Sequence, residues 1–466
     1  MRDRYDVMSN PLAWENIGKL IMRFAIPAII SMLVGALYNI VDQIFIGRSV
    51  GMLGNAATNV SFPLTTISTA IALLIGVGSA SNFNLELGRG NQEKAGFIAG
   101  NGIGLLVISG LILSIIVRIF LEPLIRMFGA TDEVFSYAMT YTGITSLGIP
   151  FLIFSTGGST LVRADGSPTY AMLSVILGAV TNVVLDYLFI FRFHMGMAGA
   201  AWATVIGQVV SSLMVVRYFF RFKTLKLTKR FLKIKGTYTI AIVSLGLASF
   251  FNQLAMTLVQ ITMNNTLTHY GAMSRFGSEI PLASVGIISK VNIVFMAFVI
   301  GTAIGCQPIN GFNYGAKNYA RVKKTYKTAV IMTSTIATTA FLLFQVFPRQ
   351  IIGIFGQGSP EYFEFATRYM RIFMLLTFVN GIQPVTSSFF TSIGKATKGT
   401  ILSLTRQIIF LLPLIIIFPR FFGVEGVMYA GPIADGAAAL ASLLLIGLEF
   451  RNMRDEEILE VSHKTD

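Results

Sequence analysis

The chain has 466 residues, of which 54% are hydrophobic and 12% charged, and its mean hydropathy is +0.69. Soluble domains carry about 25% charged residues, so a water-soluble enzyme is excluded and the bilayer is the relevant solvent. The net charge of +14 would suggest nucleic acid for a soluble protein, but the basic residues follow a membrane-topology pattern, and no nucleic-acid partner is expected.

A polar segment, residues 1–19, precedes the first apolar run. That run continues far beyond a signal-peptide core, so the first span is expected to serve as its own insertion signal. Runs of about 20 apolar residues suffice to cross about 30 Å of hydrocarbon. They predict an all-α polytopic membrane protein with about twelve transmembrane helices. The predicted spans are 20–47, 54–82, 95–119, 135–160, 169–192, 197–221, 237–266, 281–309, 326–348, 364–390, 399–420 and 424–449.

Segment 217–235 holds Arg217, Arg221, Lys223, Lys226, Lys229, Arg230, Lys233 and Lys235 without one acidic residue, and 317–327 is similarly basic. Both follow even-numbered spans, as do Arg89, Lys94, Lys395 and Lys398, whereas Glu122, Asp132, Glu133, Glu279 and Glu425 fall on the other side. The positive-inside rule then puts both termini in the cytoplasm, for a protein of the inner (cytoplasmic) membrane. Cys306 is the only cysteine, and His194, His269 and His463 lie in or near loops or the tail, which leaves no intrachain disulfide and little for a metal centre. No Walker-type Gly-Lys-Ser/Thr sequence is present, so direct coupling to ATP is not expected. Neither a cofactor nor an obligate protein partner is predicted.

The sequence repeats at an offset of 227 residues. Gly78, Gly88 and Asn91 match Gly305, Gly315 and Asn318, and Gly196, Gly199, Trp202 and Ala203 match Gly423, Gly426, Tyr429 and Ala430. Six spans separate the copies, so the halves share one orientation and form a parallel repeat of two six-helix lobes. The expected organisation is a cytoplasmic segment 1–19, a first lobe 20–221, a basic linker 222–236, a second lobe 237–450 and a cytoplasmic tail 451–466.

Asp42 and Asp186 stand inside spans, where a carboxylate costs a few kcal/mol and persists mainly for transport or pairing. At about 1.5 Å per residue, Asp42, Asp186 and Thr204 lie about 8, 9 and 10 Å inside the outer ends of the first, fifth and sixth spans, with Asn182 one turn from Asp186. Their oxygens suit a proton, trapped between two carboxylates, or a hard cation such as Na+. Interhelical hydrogen bonding is the alternative reading, chiefly for Asn182 and Thr204.

Asn39-Ile40-Val41-Asp42, Thr181-Asn182 with Leu185-Asp186-Tyr187-Leu188-Phe189-Ile190, and Gly199-Ala200-Ala201-Trp202-Ala203-Thr204 resemble segments of the multidrug and toxic compound extrusion family, closest to MepA-like members of its DinF branch. Arg163-Ala164-Asp165-Gly166-Ser167-Pro168 and Gly394-Lys395-Ala396-Thr397 extend the resemblance over nearly the whole chain. It implies a V-shaped, two-lobed secondary antiporter, not an enzyme, that expels amphipathic, often cationic drugs in exchange for H+ or Na+. The resemblance also implies that Asp42, Asn182, Asp186 and Thr204 form the cation site of the first lobe, and that Pro27 lets the first helix bend. The second lobe departs from the sodium-coupled branch, offering Asn252, Gln253, Asn264, Asn265 and Gln383 where acidic residues are expected, which favours H+.

Lys290, Arg406 and Asp435 lie at roughly mid-depth in the second lobe and suggest a charge network, since pairing lowers the cost of burial. The 38 Phe and 20 Met offer deformable apolar surface, with Phe154, Met172, Met256 and Met263 as cleft candidates. Two other functions compete. A lipid or lipid-linked sugar flippase would use a cationic cleft containing Lys290 and Arg406. An intramembrane aspartyl protease would pair Asp42 with Asp186, although the expected Gly-x-Gly-Asp pattern is absent.

Overall fold

The computed structural model describes residues 10–355 and 358–453, which contain helices and no strand. Residues 1–9 of the expected segment 1–19 and residues 454–466 of the tail 451–466 lie outside the described residues. Among the described residues ten helices are long and apolar enough to cross a membrane, and a pair bent by 41° adds an eleventh. One of the ten, Ala396–Asn452, has 57 residues, which at about 1.5 Å each is more than twice the hydrocarbon thickness. It divides at Gly423, whose φ of 61° no α-helix continues through. Twelve spans result.

They are α1 (Ile17–Ser49), α2 (Met52–Gly88), α3 (Gln92–Ile119), α4 (Asp132–Ala164), α5 (Pro168–Arg192), α6 (Gly196–Phe219), α7 (Gly236–Ala272), α8 (Glu279–Gly315), α9 (Tyr319–Val346), α10 (Pro360–Phe373 with Thr377–Ser392), α11 (396–417) and α12 (Gly426–Asn452). Several overrun the apolar runs that announce them. α2 continues past residue 82 to Gly88 because Asn82, Asn84 and Glu86 are polar yet remain helical.

The expected continuous tenth span is broken. Pro384 has no N–H to give the Asn380 carbonyl, and Asn380 and Gly381 are weak helix formers, so the chain turns through a 3-10 segment, Thr377–Val379. α5 and α11, equivalent in the two halves, each contain a π-helical stretch, Tyr187–Arg192 and Thr405–Leu411.

The linker is folded onto the first lobe. Asn101 in α3 accepts from the Lys235 N–H at 2.7 Å and donates to the Lys233 carbonyl at 3.0 Å, while the Phe231 ring lies against Gly96. Arg230 pairs with Glu93 at 2.6 Å.

The two lobes meet at the end of the molecule that carries the basic loops. There one apolar core runs through both, with Ile21, Phe24 and Ala25 of α1 packed among Ala303, Cys306 and Phe312 of α8. Toward the opposite end each lobe keeps its own core. Glycine makes the seam close. A Cβ on Gly246 would collide with the Leu74 carbonyl, and one on Gly301 with Ile29; Gly88 meets Phe312 as Gly315 meets Leu85. The last two contacts are repeats of each other at the 227-residue offset. Asn82 donates across the seam to the Ala241 carbonyl at 2.9 Å.

Candidate functional site: a carboxylate pair in the first lobe

α5 and α6 touch through Gly178 and Gly207, where each glycine leaves room for the other's carbonyl. That approach brings Asn182 Nδ2 within 3.4 Å of Thr204 Oγ1. One turn further along α5, Asp186 is fully buried and faces Asp42 of α1, itself 8% exposed, with the two carboxyls within hydrogen-bonding reach. The four side chains singled out in sequence thus gather in one layer. Asp186 is the last α-helical residue before the π-helical stretch, a distortion common beside functional groups.

Both Asp186 oxygens, Asp42 Oδ1 and Asn182 Oδ1 are buried and accept no hydrogen bond within the protein. Orphaned acceptors of this kind are costly unless a proton, a cation or water satisfies them. Two ionised carboxylates offer one another no donor, whereas protonating one creates it. Beside the pair lies a cavity of about 90 Å³, lined by Tyr38, Asp42, Ser61, Tyr141, Thr142 and Thr204 among others. The Tyr141 hydroxyl reaches Thr204, and Ser61 and Thr142 share a hydrogen bond of 2.6 Å. Among the described residues no group of three His, Cys, Asp or Glu side chains could hold a metal, so any cation here would rely on amide and hydroxyl oxygens as well.

The sequence signature of the MatE family matches residues 27–188 and 248–417, which is most of the chain and both lobes. This chain belongs to the MatE family. The multidrug export protein MepA of Staphylococcus aureus (strain MSSA476) is 24% identical over 445 residues, covering 95% of this chain and 96% of the relative. MepA of Staphylococcus saprophyticus is 24% identical over 440 residues, covering 93% and 94%. A solved multidrug resistance MATE family transporter of the MOP superfamily, in an outward-facing conformation, superimposes with a TM-score of 0.88 at 25% identity, covering 95% of this chain and 98% of that one.

In this MatE protein the second-lobe charges form a smaller network than expected. Arg406 Nε donates to Asp435 Oδ1 at 2.6 Å and Asn380 Nδ2 to Asp435 Oδ2 at 2.9 Å. Lys290 does not join them. Ile288 and Phe295 of α8 are buried in the second-lobe core, and at about 100° per residue Lys290 falls on the opposite side, in line with Gly301 three turns on. Gly301 packs against α1, so the exposed Lys290 faces the cleft between the lobes. Two of the aromatic and Met candidates are also reassigned, because Phe154 is buried in the core shared by the lobes, against Phe219 of α6, and Met263 in the core of the second lobe.

Sequence reasoning missed Tyr38, Tyr141 and Asn380. Tyr38 could have been found, being four residues before Asp42 on the same helical face. Tyr141 carries no such signal, since only packing brings α4 against the pair. Asn380 becomes visible only once Pro384 breaks α10.

Proposed function

We propose that this chain is a secondary antiporter of the cytoplasmic membrane that exports amphipathic, often cationic drugs in exchange for H+, by alternating access of its two lobes. The observation that carries the reading is the Asp42–Asp186 pair, whose buried oxygens lack partners within a two-lobed transporter fold. The MepA relatives are multidrug export proteins, which supports the substrate class. With the basic end in the cytoplasm, as the positive-inside rule requires, the closed seam corresponds to an outward-open state.

A proton removes charge from a low-dielectric layer, which changes the packing of α1 and biases one lobe conformation over another. Na+ is the competing ion at Asp42, Asn182, Asp186 and Thr204; the absence of acidic residues from α7 and α10 at the depths where the sodium-coupled branch has them favours H+. The experiment is efflux from proteoliposomes. An inward pH gradient in sodium-free buffer is expected to drive it, and acidifying the outer face is expected to weaken substrate binding. Transport driven by a sodium gradient and indifferent to collapse of the pH gradient would overturn the proton assignment.

Lys290 supports a second reading. A lone ammonium facing the cleft fits a phosphate or other anionic head group, as a lipid flippase would require. Movement of a labelled lipid in the same proteoliposomes, without drug efflux, would establish that reading in place of export.

A further inference from the structure

A second cavity, of about 200 Å³, lies entirely within the first lobe and shares Tyr38, Leu152, Thr204 and Gln208 with the one beside Asp42. Its lining extends from Asn182 and Thr204 along α4, α5 and α6 to Ser159, Ser211 and Arg163. From Leu152 to Arg163 it follows α4 for about 16 Å, and Arg163 is the penultimate residue of that helix, at the basic end. The walls are largely apolar, with Leu73, Leu152, Val175 and Ala179, but carry a line of hydroxyls and amides, of which buried Gln208 Oε1 and Asn182 Oδ1 have no partner in the protein. A cavity of this size with such polar partners has room for water.

The Arg163 guanidinium has neither a hydrogen bond nor an ion pair among the described residues, although Asp165 is two residues away; the Arg163 carbonyl accepts from the Gly166 N–H at 3.0 Å. Asp165 is already engaged. It accepts from the Tyr218 hydroxyl at 2.7 Å, from the Lys223 N–H at 2.6 Å and from the Thr224 N–H at 3.0 Å, besides the Thr224 hydroxyl. These bonds tie the start of the linker to the α4–α5 turn and leave the guanidinium as the only charged group lining the cavity among the described residues.

We infer that the first lobe contains its own polar passage from the Asp42–Asp186 pair to the basic end, guarded by Arg163, and that the coupling proton leaves by it while the seam between the lobes is shut. The proton's part in this rests on the antiport reading above. A proton can hop along water and hydroxyls without a cation residing beside the guanidinium, whereas Na+ would have to pass it bodily against repulsion.

The test is thiol labelling in oriented vesicles. Cys306 is buried and the only cysteine, so the unmodified protein is the blank. Ser159→Cys, with Ser211→Cys as a second probe should the first not fold, is exposed to small thiosulfonates of opposite charge applied from each side. The passage predicts modification from the basic-loop side, about tenfold faster with the anionic reagent than with the cationic one. Arg163→Met is expected to erase that charge preference while labelling continues. Labelling solely from the opposite side, or no labelling of either folded variant, would overturn the passage, and equal rates for both charges would overturn the role of Arg163. Labelling as expected in a protein whose efflux ignores the pH gradient would instead sink the antiport reading and leave a water path standing.

Discussion

At the scale of single residues the two lobes treat buried charge in opposite ways. Asp435 has its oxygens engaged by Arg406 and Asn380, whereas Asp42 and Asp186 face one another with acceptors unsatisfied. The first arrangement satisfies its buried charge within the protein. Asp435→Ala should strand the Arg406 guanidinium, 18% exposed, and lower stability by about 3–5 kcal/mol, read as a loss of thermal stability in detergent. Replacing both partners with apolar residues of similar volume should recover most of that loss, because a buried pair gains little over a well-packed apolar substitute. On the antiport reading the second arrangement is the coupling site, so its variants should behave differently. Asp42→Asn and Asp186→Asn are expected to retain the fold, since an amide supplies the donor the pair lacks, and each should abolish gradient-driven efflux. Normal efflux rates in both would remove the pair from the mechanism.

At the scale of elements, proline and the π-helical stretches place the polar groups. Pro27 sits in α1 fifteen residues before Asp42 and is buried where α1 meets the second lobe. It deprives the Arg23 carbonyl of its helical partner, and the Ser31 hydroxyl donates to the Pro27 carbonyl at 2.8 Å, so this turn is the weak point of a 33-residue helix. Pro27→Ala should stiffen α1, relieving up to about 3 kcal/mol of the proline penalty, and slow turnover several-fold without removing ion binding at Asp42. Turnover equal to the parent protein would reduce Pro27 to packing. Pro384 acts comparably in α10, where the break frees Asn380 for Asp435.

At the scale of the whole molecule the seam at the basic end decides which side is closed. Its glycines permit backbone contact between α2 and α7 and between α1 and α8. Gly246→Ala should push α7 off the Leu74 carbonyl, weaken the closed seam by about 1–3 kcal/mol and shift the population toward a state open at the basic end. Distance measurement between spin labels on the basic ends of α2 and α7 would register that shift. No change in the distance distribution would mean the seam absorbs the methyl group.

The sequence by itself determined the solvent, the count of spans, the duplication and the layer of Asp42, Asn182, Asp186 and Thr204, because hydropathy, charge and helical rise are local properties that depth along a membrane helix preserves. The break in α10 was also encoded locally, in Asn380, Gly381 and Pro384, yet it was hidden by a continuous apolar run. Which charges meet could be decided only by tertiary structure. Depth leaves rotation about the helix axis open, and rotation turns Arg406 toward Asp435 but Lys290 into the cleft. Tyr141 at the carboxylate pair and the unpaired Arg163 below it depend likewise on how α4 packs against α5 and α6, a relation between distant segments that no local pattern records.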